Sequence, residues 1–378
     1  MISGQATPEA TAAFAARFPQ FAKTQHFRRL RVKDPLPLLQ MSSIGIGTYM
    51  GEADDATDQS YAEAIAAAVE GGINVIDTAA NYRHQRSERV IGQVLANLLA
   101  GGNVAREELV LCTKAGYLPF DGDLPADPRS WLIDHYLRPG IAAPGLTVGG
   151  MHCISPVYLA WQLQRSLDNM GVSAVDIFYL HNPEEQQTHL SRDEFYRRLR
   201  SSFEFLEKSA GLGRIQYYGA ATWNGFRVPP DSVDYLDLDR MVATAKEVAG
   251  EQHRFRFIQL PYNLIMAEAQ TLLNQTVGQP PYVSTLNACY RHGLHAVSSA
   301  SLGSGRLQAL PPDAMEYLKG FLPATDVPSQ MALQFVRSTS SVTTALVGMS
   351  KRAHVDANLQ AAAVAPAPPA QLNRLLQQ

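Results

Sequence analysis

The stretch Ile73–Arg83 reads INVIDTAANYR. It is apolar through Val75 and Ile76, stops on Asp77, and then turns polar. A short apolar run closed by a carboxylate predicts a buried strand with functional groups at its C-terminal end. Asp77 and Tyr82 fall just past that end, where a parallel α/β barrel places its chemistry. The arrangement recurs twice. LVLCT at 109–113 is followed at once by Lys114, and IFYLH at 177–181 ends on His181. Four chemically matched residues therefore sit at three strand ends.

Working outward, the same rhythm covers most of the chain. Strands are predicted at Ser42–Thr48, Ile73–Asp77, Leu109–Thr113, Ile177–His181, Gln216–Ala221, Phe255–Leu260, His295–Ser299 and Thr343–Val347. Helical spacing of apolar residues covers Ala56–Glu70, Ser87–Leu99 with Ser87 as N-cap, Pro156–Met170, Ser191–Ser209, Leu238–Ala249, Ser284–His292, Ser329–Thr339 and Arg352–Ala361. Gly71-Gly72 ends the first of these as a left-handed C-cap would. LVLCT is nearly continuous in apolar residues, as strands buried on both faces are. Eight β/α units favour an α/β fold of the (β/α)8 TIM-barrel type over an open sheet. No GxGxxG opens a helix after the first strand, which argues against a Rossmann nucleotide fold.

Three stretches stand apart from this rhythm. Residues 1–34 read as an N-terminal extension, with a helix over Pro8–Phe18 capped by Thr7. His26–Arg31 and Pro37–Met41 flank an Asp34-Pro35 turn signal and predict a hairpin that plugs the barrel bottom. Residues 35–362 make up the barrel and 363–378 a C-terminal tail with a short amphipathic turn at Leu372, Leu375 and Leu376. Inside the barrel, 115–154 lacks clear periodicity and is too long for an ordinary connection. It leaves the active-site end of the third strand, so Tyr117, Phe120, Trp131 and Tyr136 either form a lid and substrate wall or pack on the outside.

Composition narrows the function classes. Lys+Arg number 32 against 35 Asp+Glu, a net charge of −3, and no half is strongly basic. Nothing therefore points to nucleic acid or an acidic membrane. The three cysteines, Cys112, Cys153 and Cys289, have neither disulfide nor metal spacing. That fits a reducing cytoplasm and no metal. No signal-peptide pattern opens the chain, and no apolar run is long enough to span a membrane. Oligomeric state is left open.

Taken singly, Asp77 reads as a cap, Tyr82 as packing, Lys114 as a solvated end and His181 as a turn residue. Their conjunction at successive strand ends favours chemistry. A phenol titrates near pH 10 and is a poor acid at neutral pH. A nearby ammonium should bring that value down, and a carboxylate beside the lysine keeps it charged. A histidine at the same mouth can orient a substrate oxygen. Together these groups can protonate a carbonyl oxygen while hydride reaches the carbon. Hydride requires a nicotinamide or flavin, since no side chain delivers it.

The chain resembles the aldo-keto reductases from about Arg28 to Leu359. The resemblance rests on SSIGIGTYMG, INVIDTAANY with SERVIG following, LVLCTKAG, SLDNMGVSAVDIFYLHNPEE, GRIQYYGAATW, FIQLPYNLI, HAVSSASLGSG and LVGMSKRAHVDANL, in that order. It implies that Tyr82 is the general acid, that Lys114 and Asp77 tune it, and that His181 binds and polarises the carbonyl. It implies a cofactor lying across the mouth on Gly47, Thr48, Thr222 and Gln259, with Tyr262 and Asn263 in the following turn. Leu302, Gly303, Ser304 and Gly305 would cover its pyrophosphate, where backbone N–H groups suit an anion. Gly348, Ser350, Lys351, His354 and Asn358 match the adenosine-phosphate region. Lys351 and Arg352 at a helix N-terminus are disfavoured by the helix dipole. A 2′-phosphate would account for them, which favours NADPH over NADH. Tyr49, Tyr117 and Trp223 are the expected substrate wall.

Two positions depart from that family pattern. Ala221-Thr222 stands where a Ser-Asn pair is usual, and Ser299-Ala300-Ser301 replaces an aromatic that stacks on the nicotinamide. Stacking is worth roughly 0.5–1.5 kcal/mol, so its loss implies up to about tenfold weaker cofactor binding. The reading is an NADPH-dependent reductase of a small aldehyde or ketone, or the reverse oxidation. Its rivals are a non-catalytic nucleotide-sensing subunit on the same fold and an NAD-dependent sugar or polyol dehydrogenase.

Overall fold

The structure, a computed structural model, describes residues 1–30, 39–323 and 325–377. Among the described residues, eight parallel strands close into a barrel. They are β1 (Ile44–Gly47), β2 (Val75–Asp77), β3 (Val110–Ala115), β4 (Val175–His181), β5 (Ile215–Ala221), β6 (Phe255–Pro261), β7 (His295–Ser299) and β8 (Val342–Gly348). Each pairs with its sequence neighbours, and β8 returns to β1. Around them run α1 (Asp55–Glu70), α2 (Arg86–Ala100), α3 (Pro156–Met170), α4 (Arg192–Gly211), α5 (Leu238–Ala249), α6 (Thr285–His292), α7 (Pro328–Ser338) and α8 (Arg352–Ala362). The expected (β/α)8 barrel is the observed fold, with strand ends shifted by one or two residues.

Side chains alternate along each strand, and the alternation sorts the core. Val75, Val110, Cys112, Ile177, Tyr179, Tyr217 and Phe257 point inward and pack together. Ile76, Leu111, Phe178, Leu180, Tyr218 and Ile258 point outward, into the layer shared with the helices. The inward face continues in steps of two to Asp77, Lys114, His181 and Gln259. The polar groups are thus the top rung of the ladder whose lower rungs are apolar.

Local sequence sets the helix starts. Asp54, Ser155, Ser191, Asp237 and Ser284 each accept a backbone N–H at the N-terminus of the helix that follows. Such caps are worth about 1 kcal/mol apiece. Ser87 does not act this way, contrary to expectation. It sits inside the first turn of α2 and its hydroxyl donates to the Thr48 carbonyl at 2.8 Å. Gly72 has the expected left-handed conformation, one residue beyond the cap Gly71.

The expected hairpin is present where it is described. Phe27–Arg29 pairs antiparallel with Gln40–Ser42, and Leu30, Leu39 and Met41 pack into the bottom of the barrel interior. The Asp34-Pro35 turn, together with Arg31, Pro37 and the 34/35 boundary, lies outside the described residues. The helix Pro8–Ala16 is capped by Thr7 and buries Phe14. Ahead of it, the Ala6 N–H donates to Asp176, a buried carboxylate that also holds Arg106 at 2.9 Å. The tail forms a helix at Pro369–Leu376 that buries Leu372.

Several elements were missed, among them a helix at Pro312–Lys319 and, inside the long loop, a helix at Pro128–Leu132 and an antiparallel pair of Thr147–Val148 with His152–Cys153. Leu273–Val277 and Gln279–Ser284 also form an antiparallel pair, ahead of α6. Pro280-Pro281 masks it in the sequence, because proline is tolerated only on strand edges and bulges. The long loop resolves the open alternative unevenly. Tyr117 reaches the barrel mouth, whereas Phe120, Trp131 and Tyr136 pack on one another and against Trp161 of α3.

Candidate functional site

The C-terminal ends of the strands surround a cavity of about 760 Å³. Asp77, Tyr82 and His181 line it, and Lys114 lies beneath them, fully buried. Lys114 Nζ donates to Asp77 Oδ1 at 2.5 Å and to the Thr78 carbonyl at 2.7 Å. Gln259 Nε2 donates to the other Asp77 oxygen at 2.9 Å. The Tyr82 ring lies with its centre 5.0 Å from Lys114 Nζ, 5.8 Å from the His181 ring and 5.1 Å from the Tyr49 ring. The four residues expected to act together are therefore brought together. A larger cavity of about 1330 Å³ opens at the opposite end, between the starts of β7 and β8, and contains none of them. Volume alone does not choose the site.

An unusual backbone places Tyr82. Arg83, His84 and Gln85 are all left-handed, with φ of 48°, 54° and 72°. Such a conformation costs a non-glycine residue about 1–2 kcal/mol. The run is held by Arg83, whose guanidinium donates to the Glu52 and Asp54 carbonyls and to Asp58 at 2.5 Å. Gln85 adds a bond to the Phe120 carbonyl.

The electrostatics correct one expectation. Burial outweighs the pull of Lys114, so the Tyr82 phenol is held above its ordinary 10 rather than brought below it. Burial penalises the Lys114 ammonium too, but Asp77 and Tyr82 more than offset that and keep its pKa raised. Burial pushes the Asp77 carboxyl up against the opposing pull of Lys114 and Gln259. Both side-chain partners of Asp77 are donors, which suits an ionised carboxylate, so the pair is ionic. Burial, helped by Lys114 and His152, holds His181 well below the usual imidazole range. At neutral pH the mouth thus holds a protonated phenol, a neutral imidazole and a buried ion pair.

Other expected residues divide into two groups. Gly47, Thr48, Thr222, Gln259, Leu302, Ser304, Gly305 and Gly348 line the cavity, as do Tyr49, Tyr117 and Trp223. Gly303 sits in the same turn as Ser304, with its φ at 60°. Ser350, Lys351, His354 and Asn358 are not among the lining residues. Lys351 and Arg352 are exposed at the start of α8, and Asn358 is buried within that helix. Sequence reasoning missed Met50, Asn81, Asn182 and Gln308, which also line the mouth. Asn182 was within reach, since it directly follows a strand end already singled out.

Two buried polar atoms on residues that line this cavity, Thr222 Oγ1 and His181 Nδ1, have no partner among the described residues. Unpaired buried polar groups are costly, and a polar ligand in the mouth would satisfy them. The amide-bearing face of a nicotinamide fits that requirement.

Behind the mouth, Glu184 ties two strand ends together. Its Oε1 accepts from the backbone N–H groups of Trp223, Asn224 and Gly225, at 2.8, 3.1 and 3.3 Å. Burial nevertheless pushes this carboxyl up to about 7 from its ordinary 4.5. Between those values the folded state binds more protons than the unfolded one, so stability falls as pH rises through the window. Glu184→Gln abolishes this titration. From about pH 5 to about pH 8, its unfolding free energy should gain on the parent's by up to about 3 kcal/mol. Denaturation curves of both proteins at the two pH values measure the change, and an unchanged gap contradicts it.

Comparison with known proteins identifies the family. The sequence profile of the Aldo/keto reductase family matches residues 43–310. A D-threo-aldose 1-dehydrogenase from Pseudomonas sp. is 25% identical over 356 residues, covering 87% of this chain and 90% of that protein. The aldo-keto reductase ausK of Emericella nidulans is 33% identical over 147 residues, or 38% of this chain and 30% of that one. Among solved structures, the aldo-keto reductase AKR11C1 from Bacillus halodurans in its holo form superposes with a TM-score of 0.61. It shares 18% identity and covers 93% of this chain and 96% of its own. An aldo/keto reductase from Klebsiella pneumoniae in complex with NADP and acetate gives a TM-score of 0.57 at 20% identity, covering 89% and 92%. A profile match over most of the chain, on a barrel whose mouth gathers an aspartate, a tyrosine, a lysine and a histidine, leads to one assignment: the chain belongs to the aldo/keto reductase family, oxidoreductases that act on carbonyl and alcohol groups.

Proposed function

We propose that the protein reduces an aldehyde or ketone to the alcohol with NADPH, and catalyses the reverse oxidation when driven. The observation that carries this is the juxtaposition of Tyr82, His181 and the Lys114–Asp77 pair at one cavity mouth. Tyr82 is protonated at neutral pH and is the proton donor to the substrate oxygen. His181, neutral, donates a hydrogen bond to the same oxygen and orients it. The Lys114 ammonium stabilises charge that develops on the phenol oxygen as the proton leaves. A bound nicotinamide supplies the hydride. Thr222 and Gln259 would hold its carboxamide end, and the Leu302–Gly305 turn its phosphates. The Klebsiella pneumoniae relative bound to NADP supports the choice of cofactor. The substrate wall of Tyr49, Tyr117 and Trp223 suits an apolar or sugar-like carbonyl compound. Its three cysteines are free and buried, which supports a cytoplasmic location. Among the described residues no helix is long and apolar enough to cross a membrane.

A second reading, oxidation of a sugar with NAD, draws on two observations. The Pseudomonas relative is named an aldose dehydrogenase. Lys351 and Arg352 stand outside the cavity lining, where their claim on a 2′-phosphate is weaker. Calorimetric titration of the purified protein with NADPH and NADH separates the readings. Tighter NADPH binding, reduced by Lys351→Ala, is the expected result. Preference for NADH moves the function toward oxidation, and absence of binding by either defeats both.

A further inference from the structure

The long loop after β3 meets itself at a neck before its body turns away to α3. Leu118 N–H donates to the Met151 carbonyl and Cys153 N–H to the Gly116 carbonyl, so Tyr117 and His152 lie opposite each other. Both then turn toward His181. His152 Nε2 is 2.8 Å from the His181 carbonyl oxygen, and its Nδ1 is 2.9 Å from Gln186 Nε2. Since a carbonyl only accepts and an amide nitrogen only donates, the imidazole carries its proton on Nε2 and none on Nδ1. It is neutral and locked in one tautomer. Burial, which holds His152 down at about 4, agrees.

The carbonyl it meets needs a partner. The ladder between β3 and β4 ends at the pair Ala115–Leu180, one residue short of His181. Gly116 passes so close that a Cβ there would lie 2.4 Å from the His181 oxygen and 2.8 Å from His152 Nε2. The imidazole fits only because that residue is glycine. On the side-chain face, the Tyr117 ring stands edge-on to the His181 ring at 5.2 Å and to the His152 ring at 5.0 Å. Its hydroxyl is fixed by Asn182 Nδ2 at 2.8 Å and donates to Glu185 at 3.2 Å. His181 is therefore gripped twice from one neck, at its backbone and at its ring.

We propose that His152 is a positioning residue that sets the height and tilt of His181 at the mouth. This rests on the reading of His181 as the group that orients the carbonyl oxygen. His152 itself is buried and is absent from the cavity lining, so it acts through His181. Displacing a catalytic group by about 1 Å can cost roughly 100-fold in rate. The loop's neck, rather than its body, is the part that serves catalysis.

The test compares His152→Leu, which loses the donor, with His152→Gln, whose amide nitrogen reaches the same carbonyl. His152→Leu should lower kcat by about 10- to 100-fold, with the NADPH Kd unchanged, and His152→Gln should recover most of that loss. Loss of packing alone would not be repaired by glutamine. A parental kcat in His152→Leu, or equal impairment in both variants, overturns the proposal. If His152→Leu fails to fold, Gln186→Leu frees the imidazole from its lock, and an unchanged kcat there overturns it as well. A parent protein that binds NADPH yet turns over no carbonyl compound would instead defeat the reductase reading itself.

Discussion

Tyr82→Phe should lower kcat by at least 10²–10⁴, the usual contribution of a positioned acid, while leaving NADPH affinity as it was. The substitution removes one oxygen and keeps the ring, so the ring contacts with Tyr49, His181 and Lys114 persist. Stability should fall by about 1–3 kcal/mol, because the buried Lys114 ammonium loses the phenol oxygen as a hydrogen-bond partner and keeps Asp77 and the Thr78 carbonyl. The electrostatics add a pH signature. A phenol held above its ordinary range stays protonated across neutral pH. Reduction by the parent should then be flat through that range and decline only in alkali, whereas oxidation, which needs the deprotonated form, should rise toward alkali. Steady-state rates in both directions with a simple aldehyde and its alcohol give the result. Undiminished turnover in the variant would remove Tyr82 from the mechanism.

Lys114→Met should do two separable kinds of damage. Methionine matches the length of the lysine stem, so packing is largely kept, but among the described residues Asp77 is left buried with only Gln259 donating to its side chain. Breaking a buried pair from one side typically costs about 3–5 kcal/mol, because the surviving charge is uncompensated. Asp77→Asn combined with Lys114→Met removes that charge, so the double variant should be more stable than Lys114→Met alone. Activity should not return with stability, because neither protein can stabilise negative charge on the phenol oxygen. Denaturant midpoints and kcat for the three proteins decide the matter. A double variant as unstable as the single one would mean that the pair is not ionic. Recovered activity would mean that the lysine acts only as a strut.

Much of this site could be read before any coordinates, for a physical reason. Strands buried on both faces give near-continuous apolar runs, and the first polar residue on the inward face marks the barrel mouth. Val110, Cys112 and Lys114 form such a series, as do Ile177, Tyr179 and His181. What escaped is what depends on three dimensions. The sign of the Tyr82 shift turns on burial, which no spacing reveals, so the lysine alone pointed the wrong way. Ser87 has the composition of a cap, but the residues ahead of it are left-handed and displace the helix start. The pair at Leu273–Ser284 hides behind two prolines. His152 lies in a stretch without periodicity, and only the meeting of the loop's two ends brings it to His181.

The left-handed run at Arg83–Gln85 has a bearing on how the protein would fail. None of the three residues prefers that conformation, so the location of the Tyr82 hydroxyl is not encoded in its own neighbourhood. It is imposed by Asp58 and Glu52, which lie 25 and 31 residues away from Arg83 in the chain. Loosening the start of α1 would let the backbone after Tyr82 relax to ordinary angles and carry the hydroxyl with it, while the strands and the other helices remained intact. Catalysis is therefore a finer gauge of that corner than any measure of helix content. A preparation that looks fully folded can still be inert.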